Sequence, residues 1–411
     1  MAAKMSRFGS LQVLPRQLLR TSVHRRAAAP VSLQGAHRTA INNSSSRSYA
    51  TSSNQRSSES TQQPKFDNRV KIVEVGPRDG LQNEKKSIPL ATKIELIERL
   101  AKTGLQTIEA GAFVSPKWVP QMANSSEILE HLLKTPPPSP VPLTYSFLAP
   151  NTKGLDSAFS LLSQYPKAFE TETAGRSSKV AQEGGKPALE IAVFAAATES
   201  FSQKNLNCSI DTSLTRFKDV IQQAKAANLR VRAYISVVLG CPFEGYDVDP
   251  HRVASIATTL LEMGADEISL GDTTGMGTAP RTKELLSCLS SAGIRNEDLA
   301  MHFHDTYGQA LVNTAVALEH GIRTFDSSVG GLGGCPYSPG ATGNVATENV
   351  VYFMESLGMD TGVDLDRVAD IGHWITREIG KANDSAVGKA VLGARTRERP
   401  EDVDDKGAPL T

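Results

Sequence analysis

Eight short β-branched or apolar segments recur between residues 70 and 329, each separated from the next by a helix-length amphipathic stretch, and this rhythm restricts the chain to very few folds. The strand candidates are VKIVEV (70–75), QTIEAGA (106–112), PLTYSFL (142–148), ALEIAVFAA (188–196), VRAYISVVL (231–239), DEISLG (266–271), LAMHFH (299–304) and RTFDSSV (323–329). Between them lie helical patterns such as ATKIELIERLAKTG, LTRFKDVIQQAKAANL and GQALVNTAVALEHG, several closed by a glycine suited to a helix C-terminus. A strand followed by a helix, repeated eight times, predicts an α/β fold, the (β/α)8 TIM barrel. A doubly wound open sheet is the alternative for any such repeat, but eight units in about 260 residues match the size of a barrel better. DLDRVADIGHWITREIG (364–380) opens additional C-terminal helical structure. We place the barrel and its C-terminal helix at residues 67–392, with a disordered tail at 393–411. Two polar insertions interrupt the rhythm: a stiff proline-rich TPPPSPVP before the third strand, and a long loop at 168–187 before the fourth, both read as surface decoration.

The first 66 residues are of a different character. Residues 1–58 hold Lys4 and eight arginines, with no acidic residue until Glu59, amid many serines. That is the composition of a mitochondrial presequence and linker, with RSYATSS around Tyr49 resembling a cleavage site. Removing residues 1–49 takes away eight basic side chains, leaving 36 basic against 44 acidic residues, a formal charge near −8. Such a balance gives no reason to expect nucleic-acid binding. No apolar run approaches the roughly 18 residues that span a bilayer. The four cysteines (Cys208, Cys241, Cys288, Cys335) form no CxxC pair, which fits reduced thiols in a compartment such as the mitochondrial matrix.

The unusual polar residues fall at the ends of the strand candidates, where such barrels carry their catalytic groups. The first strand runs into GPRDG, with Arg78 and Asp79; the second carries Glu109; the sixth ends in GDTTG, with Asp272. The seventh ends in HFHD, and side chains two apart in a strand share a face, so His302 and His304 can converge on one cation. After the eighth comes GGLGGCPYSPGATGN, with Cys335 and Asn344. Each residue alone has a structural explanation, as a helix cap or an ion-pair partner. Together they point to one mouth. Asp79, His302, His304 and Asn344 form a candidate ligand set for an octahedral divalent ion such as Mg²⁺, Mn²⁺ or Co²⁺. Two histidines and a carboxylate also describe a non-haem iron oxygenase, and ligand type alone leaves both readings open. Neither GLGGCP nor GMGTAP completes a dinucleotide fingerprint, because a proline holds the last position, and no Walker lysine follows. Six glycines among residues 330–343 imply a loop able to fold over the mouth and carry Cys335 with it.

With these residues in view, the chain resembles the 3-hydroxy-3-methylglutaryl-CoA lyase family and, more broadly, the barrel family that includes isopropylmalate and homocitrate synthases. The resemblance covers residues 69–392 and rests on VKIVEVGPRDGLQNEK, FVSPKWVPQM, NCSI, LGCPFEG, EISLGDT, HFHDTYGQAL and SVGGLGGCPY. The synthases share the RDG and HxHD elements but not the cysteine loop. The resemblance implies cleavage of an acyl-CoA substrate, 3-hydroxy-3-methylglutaryl-CoA, with Mg²⁺ or Mn²⁺ held by Asp79, His302, His304 and Asn344. It further implies that Arg78 contacts the thioester or substrate carbonyl and that Cys335 acts from the closing loop. Cys335, or His302 through water, would return a proton to the product. Glu109 and Asp272 would line the cavity, with Glu348 near the ligands. A homodimer in the mitochondrial matrix, serving leucine catabolism and ketone-body formation, follows from the same resemblance; a sister acyl-CoA condensing or cleaving enzyme is the alternative. The chain departs from the family in lacking hydroxyls at Ala110 and Ala112, in placing Phe303 between the two histidines, and in carrying Leu392 where some relatives have a regulatory cysteine. It also lacks a C-terminal peroxisomal tripeptide. No thiol-linked dimer through the C terminus is therefore expected.

Overall fold

The computed structural model describes residues 68–169, 186–334 and 343–398. The basic N-terminal segment, nearly all of the 168–187 insertion, Cys335 and residues 399–411 lie outside these. All eight strand candidates form strands: β1 Lys71–Glu74, β2 Thr107–Ala112, β3 Thr144–Leu148, β4 Ala188–Ala196, β5 Arg230–Ser236, β6 Glu267–Asp272, β7 Leu299–Phe303 and β8 Thr324–Ser327. They are parallel and pair in sequence order, and β1 closes against β8 with Lys71 opposite Thr324 and Glu74 opposite Ser327. The fold is a (β/α)8 TIM barrel with helices between the strands.

Alternation along each strand divides the residues into two sets. Ile72, Ile108, Tyr145, Phe147, Ile191, Val193, Val231, Ile235, Ile268, Met301, Phe303 and Phe325 point outward into one continuous core with helix residues such as Leu96, Leu100, Ile128, Phe217, Val220 and Leu285. The inward set is unusually polar. Branched aliphatic side chains ordinarily fill such a barrel; here Arg232 is fully buried, paired with Asp326 at 2.5 Å and Glu267 at 3.1 Å. A buried charge costs several kcal/mol unless it is paired, so these strands are held to one register by charge as well as by packing.

Local chemistry sets the helix limits. Asp249 and Asp364 accept backbone N–H bonds from His251 (2.9 Å) and Arg367 (3.0 Å), capping the helices Pro250–Glu262 and Leu365–Ile379. Gly321 and Gly380, with φ of 104° and 71°, end the helices Ala310–His320 and Leu365–Ile379 in the left-handed conformation. Two helices go beyond the sequence reading. One, Glu199–Leu206, follows β4; its sequence ESFSQKNL is mostly polar and carries little amphipathic signal. The other, Ala386–Glu398, runs six residues past the boundary drawn at 392 and is tied back by Arg395 to Asp366 and Asp370, both at 2.6 Å. Among the described residues, no helix is long and apolar enough to cross a membrane.

Candidate metal centre and active site

GPRDG, after β1, winds into one turn of π-helix over Gly76–Gly80, closed by a bond from the Gly80 N–H to the Val75 carbonyl of 3.1 Å. Gly80 is required there, because a Cβ would sit 2.7 Å from Ser328 Oγ. This turn presents Arg78 and Asp79 beside the end of β7. On β7, Phe303 packs outward while His302 and the next residue in phase, His304, face inward and are 6% and 4% exposed. Their Nε2 atoms face each other at 3.3 Å. His302 Nε2 lies 3.8 Å from Asp79 Oδ2, and one ligand atom from each of Asp79, His302 and His304 lies within 4.8 Å of the others. Residues 343–346 are strapped across the ends of β7 and β8, Val345 donating to the Phe303 carbonyl and Ser328 to the Val345 carbonyl, each at 3.0 Å. That strap delivers Asn344, whose Nδ2 donates to Asp79 Oδ2 at 2.9 Å and whose buried Oδ1 has no partner.

The donor set fits a divalent cation. His302 Nδ1 is 3.1 Å from Asp326 Oδ2, so that nitrogen carries the hydrogen and Nε2 is left with its lone pair. Two imidazole nitrogens face to face, a carboxylate and an amide oxygen with no hydrogen bond then lie together, a mixture of nitrogen and oxygen donors suited to a cation. Charge shapes the same cluster. Burial opposes ionisation of Asp79, yet Arg78, His302 and His304 hold its pKa far below the usual carboxylate range. Burial also works against a charged His302, but the bond and charge of Asp326 raise its pKa. For His304, burial and the neighbouring His302 outweigh Asp79, Thr273 and Asn344 and lower its pKa to about 4, keeping a free electron pair at neutral pH.

Arg78 joins the centre to β2. Its Nη1 donates to Asp79 Oδ1 at 2.7 Å, its Nη2 pairs with Glu109 Oε2 at 2.7 Å, and its guanidinium lies 5.5 Å from the Tyr234 ring centroid. Burial raises the Glu109 pKa, and Arg78 opposes the shift. Asp272 and Glu348, the other acids of the candidate set, hold backbone. Asp272 Oδ2 accepts from the Gly277 N–H at 2.9 Å, and burial pushes its pKa to about 7. Both Glu348 oxygens accept from the Gly330 N–H, at 3.1 and 3.0 Å, and burial pushes its pKa to about 8.

Five residues of the centre were not singled out in the sequence. Asp326 holds His302 on one oxygen and Arg232 on the other, with Ser269 Oγ donating at 2.8 Å. Tyr234 sets its ring edge-on to His302, centroids 6.0 Å apart. Glu74 accepts from the N–H groups of Gly76 (2.8 Å) and Val329 (3.0 Å) and from Thr347 Oγ1 (2.7 Å). For the other four the available signal was a charge or hydroxyl at an inward position of an otherwise apolar strand, as in VRAYIS and TFDSS; Glu74 is in phase with the outward-facing Ile72 and carried no such signal.

The glycine-rich segment is well tied where it is described. Gly330 O accepts from Asp384 N (3.0 Å), Leu332 O from Asn344 Nδ2 (3.1 Å), Gly333 O from Lys381 Nζ (2.9 Å) and Gly334 O from Asn83 Nδ2 (2.7 Å). Gly330 and Gly331, with φ of 67° and 66°, make the turn that side chains would strain. Cys335, the next residue, lies outside the described part.

An eight-stranded barrel with an Asp–His–His cluster and a buried arginine at the mouth defines a class: enzymes built around a divalent metal at the C-terminal face of a (β/α)8 barrel. Residues 69–375 match the HMGL-like family model, and the chain belongs to that family. It is 50% identical over 324 residues to the 3-hydroxy-3-isohexenylglutaryl-CoA/hydroxy-methylglutaryl-CoA lyase of Pseudomonas aeruginosa, covering 79% of this chain and 97% of that protein. It is 46% identical over 325 residues to the mitochondrial hydroxymethylglutaryl-CoA lyase of Bos taurus, covering 79% and 90%. A crystal structure of hydroxymethylglutaryl-CoA lyase from Pseudomonas aeruginosa superposes with a TM-score of 0.69 at 49% identity, covering 80% of this chain and 99% of that one.

Proposed function

We propose that this chain is a carbon–carbon lyase that cleaves (S)-3-hydroxy-3-methylglutaryl-CoA to acetoacetate and acetyl-CoA, within leucine catabolism and ketone-body formation. The observation that carries this reading is the 3.3 Å approach of the two histidine Nε2 atoms beside Asp79 and Arg78, in a chain half identical to a lyase of that name. In the retro-Claisen reaction the C3 hydroxyl loses its proton and the C2–C3 bond breaks. The bonding pair passes to C2 as the enolate of acetyl-CoA, the C3–O bond becomes the ketone, and a proton returns to C2.

Asp79, His302, His304 and Asn344 would hold the cation, and nitrogen and oxygen donors without a thiolate favour Mg²⁺ or Mn²⁺. A divalent cation there supplies charge that lowers a hydroxyl pKa, as bound water falls from about 15.7 to roughly 7. Arg78 would face the thioester oxygen as negative charge develops, a role worth about 3–4 kcal/mol if it matches an oxyanion donor. Glu109 would hold the guanidinium at its angle. Cys335, or His302 through water, would return the proton to C2. Asp272 and Glu348 would act by fixing the turns at Gly277 and Gly330.

The basic, acid-free residues 1–58 support import into the mitochondrial matrix, and the family supports a homodimer. The decisive experiment is acetoacetate release from 3-hydroxy-3-methylglutaryl-CoA by the chain starting near Ala50, with Mg²⁺ and with EDTA. Metal-dependent release is expected; a folded, metal-loaded sample that releases none overturns the reading in favour of a sister condensing activity.

A further inference from the structure

Among the described residues, Cys208 and Cys241 are buried, and Cys288 alone of the cysteines keeps partial exposure. It lies on the helix Ala279–Ser291, which packs beside the helix Pro250–Glu262 in the outer layer of the barrel. Its Sγ is 3.3 Å from Nδ1 of His251, an exposed residue in the first turn of the second helix. Two carboxylates flank the pair. Asp249 caps the helix Pro250–Glu262, and the bond it accepts from the His251 N–H, 2.9 Å, fixes it beside the imidazole. Glu284 stands four residues before Cys288 on the same helix, so the two share a face. Both carboxylates are exposed and have room to turn toward the sulfur.

A thiol–imidazole hydrogen bond has this length too, and the surroundings decide between a bare pair and a site. A reactive cysteine needs neighbouring positive charge that favours the thiolate. Cys288 has the reverse: burial, Asp249 and Glu284 hold its thiol above the ordinary value. With the thiol protonated, Nδ1 is the acceptor and turns its lone pair toward the sulfur. The negative charge that quiets the thiol as a nucleophile is charge that a bound cation neutralises. Sulfur, nitrogen and carboxylate oxygens are the donors zinc takes in a tetrahedral shell, which sets sulfur and nitrogen roughly 3.5 Å apart. We propose that Cys288, His251, Asp249 and Glu284 form a second metal site, for a zinc-class divalent ion. As the ion binds, the S–H bond breaks, the sulfur pair forms the bond to the metal and the proton leaves to solvent. His251 gives its Nδ1 lone pair and keeps its hydrogen on Nε2. The thiolate separates this site from the Asp79–His302–His304 cluster, whose nitrogen and oxygen donors suit a harder ion. An ion held here joins two neighbouring helices, and through them the loop after β5 to the turn after β6.

The test titrates Co²⁺, a spectroscopic stand-in for Zn²⁺, into the reduced, Mg²⁺-loaded full chain. It reads the near-ultraviolet sulfur-to-cobalt charge-transfer band, which an ion held by nitrogen and oxygen alone does not give. The band is expected to saturate with added Co²⁺ and to be bleached by Zn²⁺, which such donors bind more tightly. Cys288→Ser should abolish the band with the circular dichroism spectrum retained, and Cys335→Ala should keep it. His251→Ala, and Asp249→Asn combined with Glu284→Gln, should each weaken the cobalt affinity at least about tenfold. No band in the parent chain overturns the proposal. So does a band that survives Cys288→Ser or disappears in Cys335→Ala, because another thiol then supplies the sulfur. Cobalt affinity unchanged in His251→Ala or in the carboxylate variant overturns it as well, leaving a cysteine that binds metal by itself. These readouts do not depend on lyase activity, so the proposed function stands or falls separately.

Discussion

Three side chains test the proposed chemistry residue by residue. Arg78 is buried, held by Asp79 and Glu109, and aimed at the mouth. Arg78→Gln removes the charge and leaves Glu109 buried without it, so kcat for cleavage should fall about 10²- to 10³-fold in steady-state assays. Asp326 acts one step further out, through His302. Asp326→Asn should weaken Mg²⁺ or Mn²⁺ binding about 10- to 100-fold by calorimetry, with the circular dichroism spectrum retained. Cys335→Ala should lower turnover while leaving that calorimetric affinity intact, and unchanged turnover would take Cys335 out of the mechanism. The candidate cluster was legible because its evidence is local: His302 and His304 are two apart on a strand, and Arg78 and Asp79 adjoin in a glycine-flanked turn. Asp326 and Arg232 are 94 residues apart and meet only across the barrel interior, so no spacing rule connects them.

Among the elements, the strands were readable because each is a short apolar run, and the outward face alone is enough to reveal it. Apart from Glu109 and the two histidines the inward face was not readable, since Glu190, Arg232, Glu267 and Asp326 gain their meaning from neighbouring strands. The turn after β8 shows the same limit. Its glycines read as freedom, but Glu74 and Glu348 hold Val329 and Gly330 while Lys381, itself 2.8 Å from Glu84, holds Gly333. This arrangement has a pH signature. The folded Glu348 carboxyl titrates at about 8 against 4.5 when free, so the folded state keeps a proton that the unfolded chain has lost. Stability is therefore fully present below the lower value and declines as pH rises toward the upper one, by at most about 1.4 kcal/mol per pH unit. Glu348→Gln should abolish this share, so the variant's melting temperature relative to the parent should be higher at pH 8 than at pH 5. Glu74 and Asp272, both raised to about 7 by burial, keep a smaller slope of the same sign in the variant.

At the scale of the whole molecule, the described barrel closes on itself without the basic N-terminal segment, since β1 begins at Lys71. A chain starting near Ala50 should match the full chain in kcat and melting temperature, and residues 1–49 fused to a fluorescent protein should carry it into mitochondria by microscopy. A cytosolic fusion would sink the localisation. With no cysteine at Leu392, oxidised protein should run as a single chain on non-reducing electrophoresis.

The pairing of β1 with β8 also orders events in time. Asp79 and Asn344 stand 265 residues apart in the chain and meet only when the last strand docks against the first. A polypeptide folding in chain order therefore owns a pair of neighbouring histidines late but no complete candidate cation site until its final strand is in place. Completion of the fold and completion of this candidate cation site are thus the same event, and a chain truncated before β8 is left without the one as well as the other.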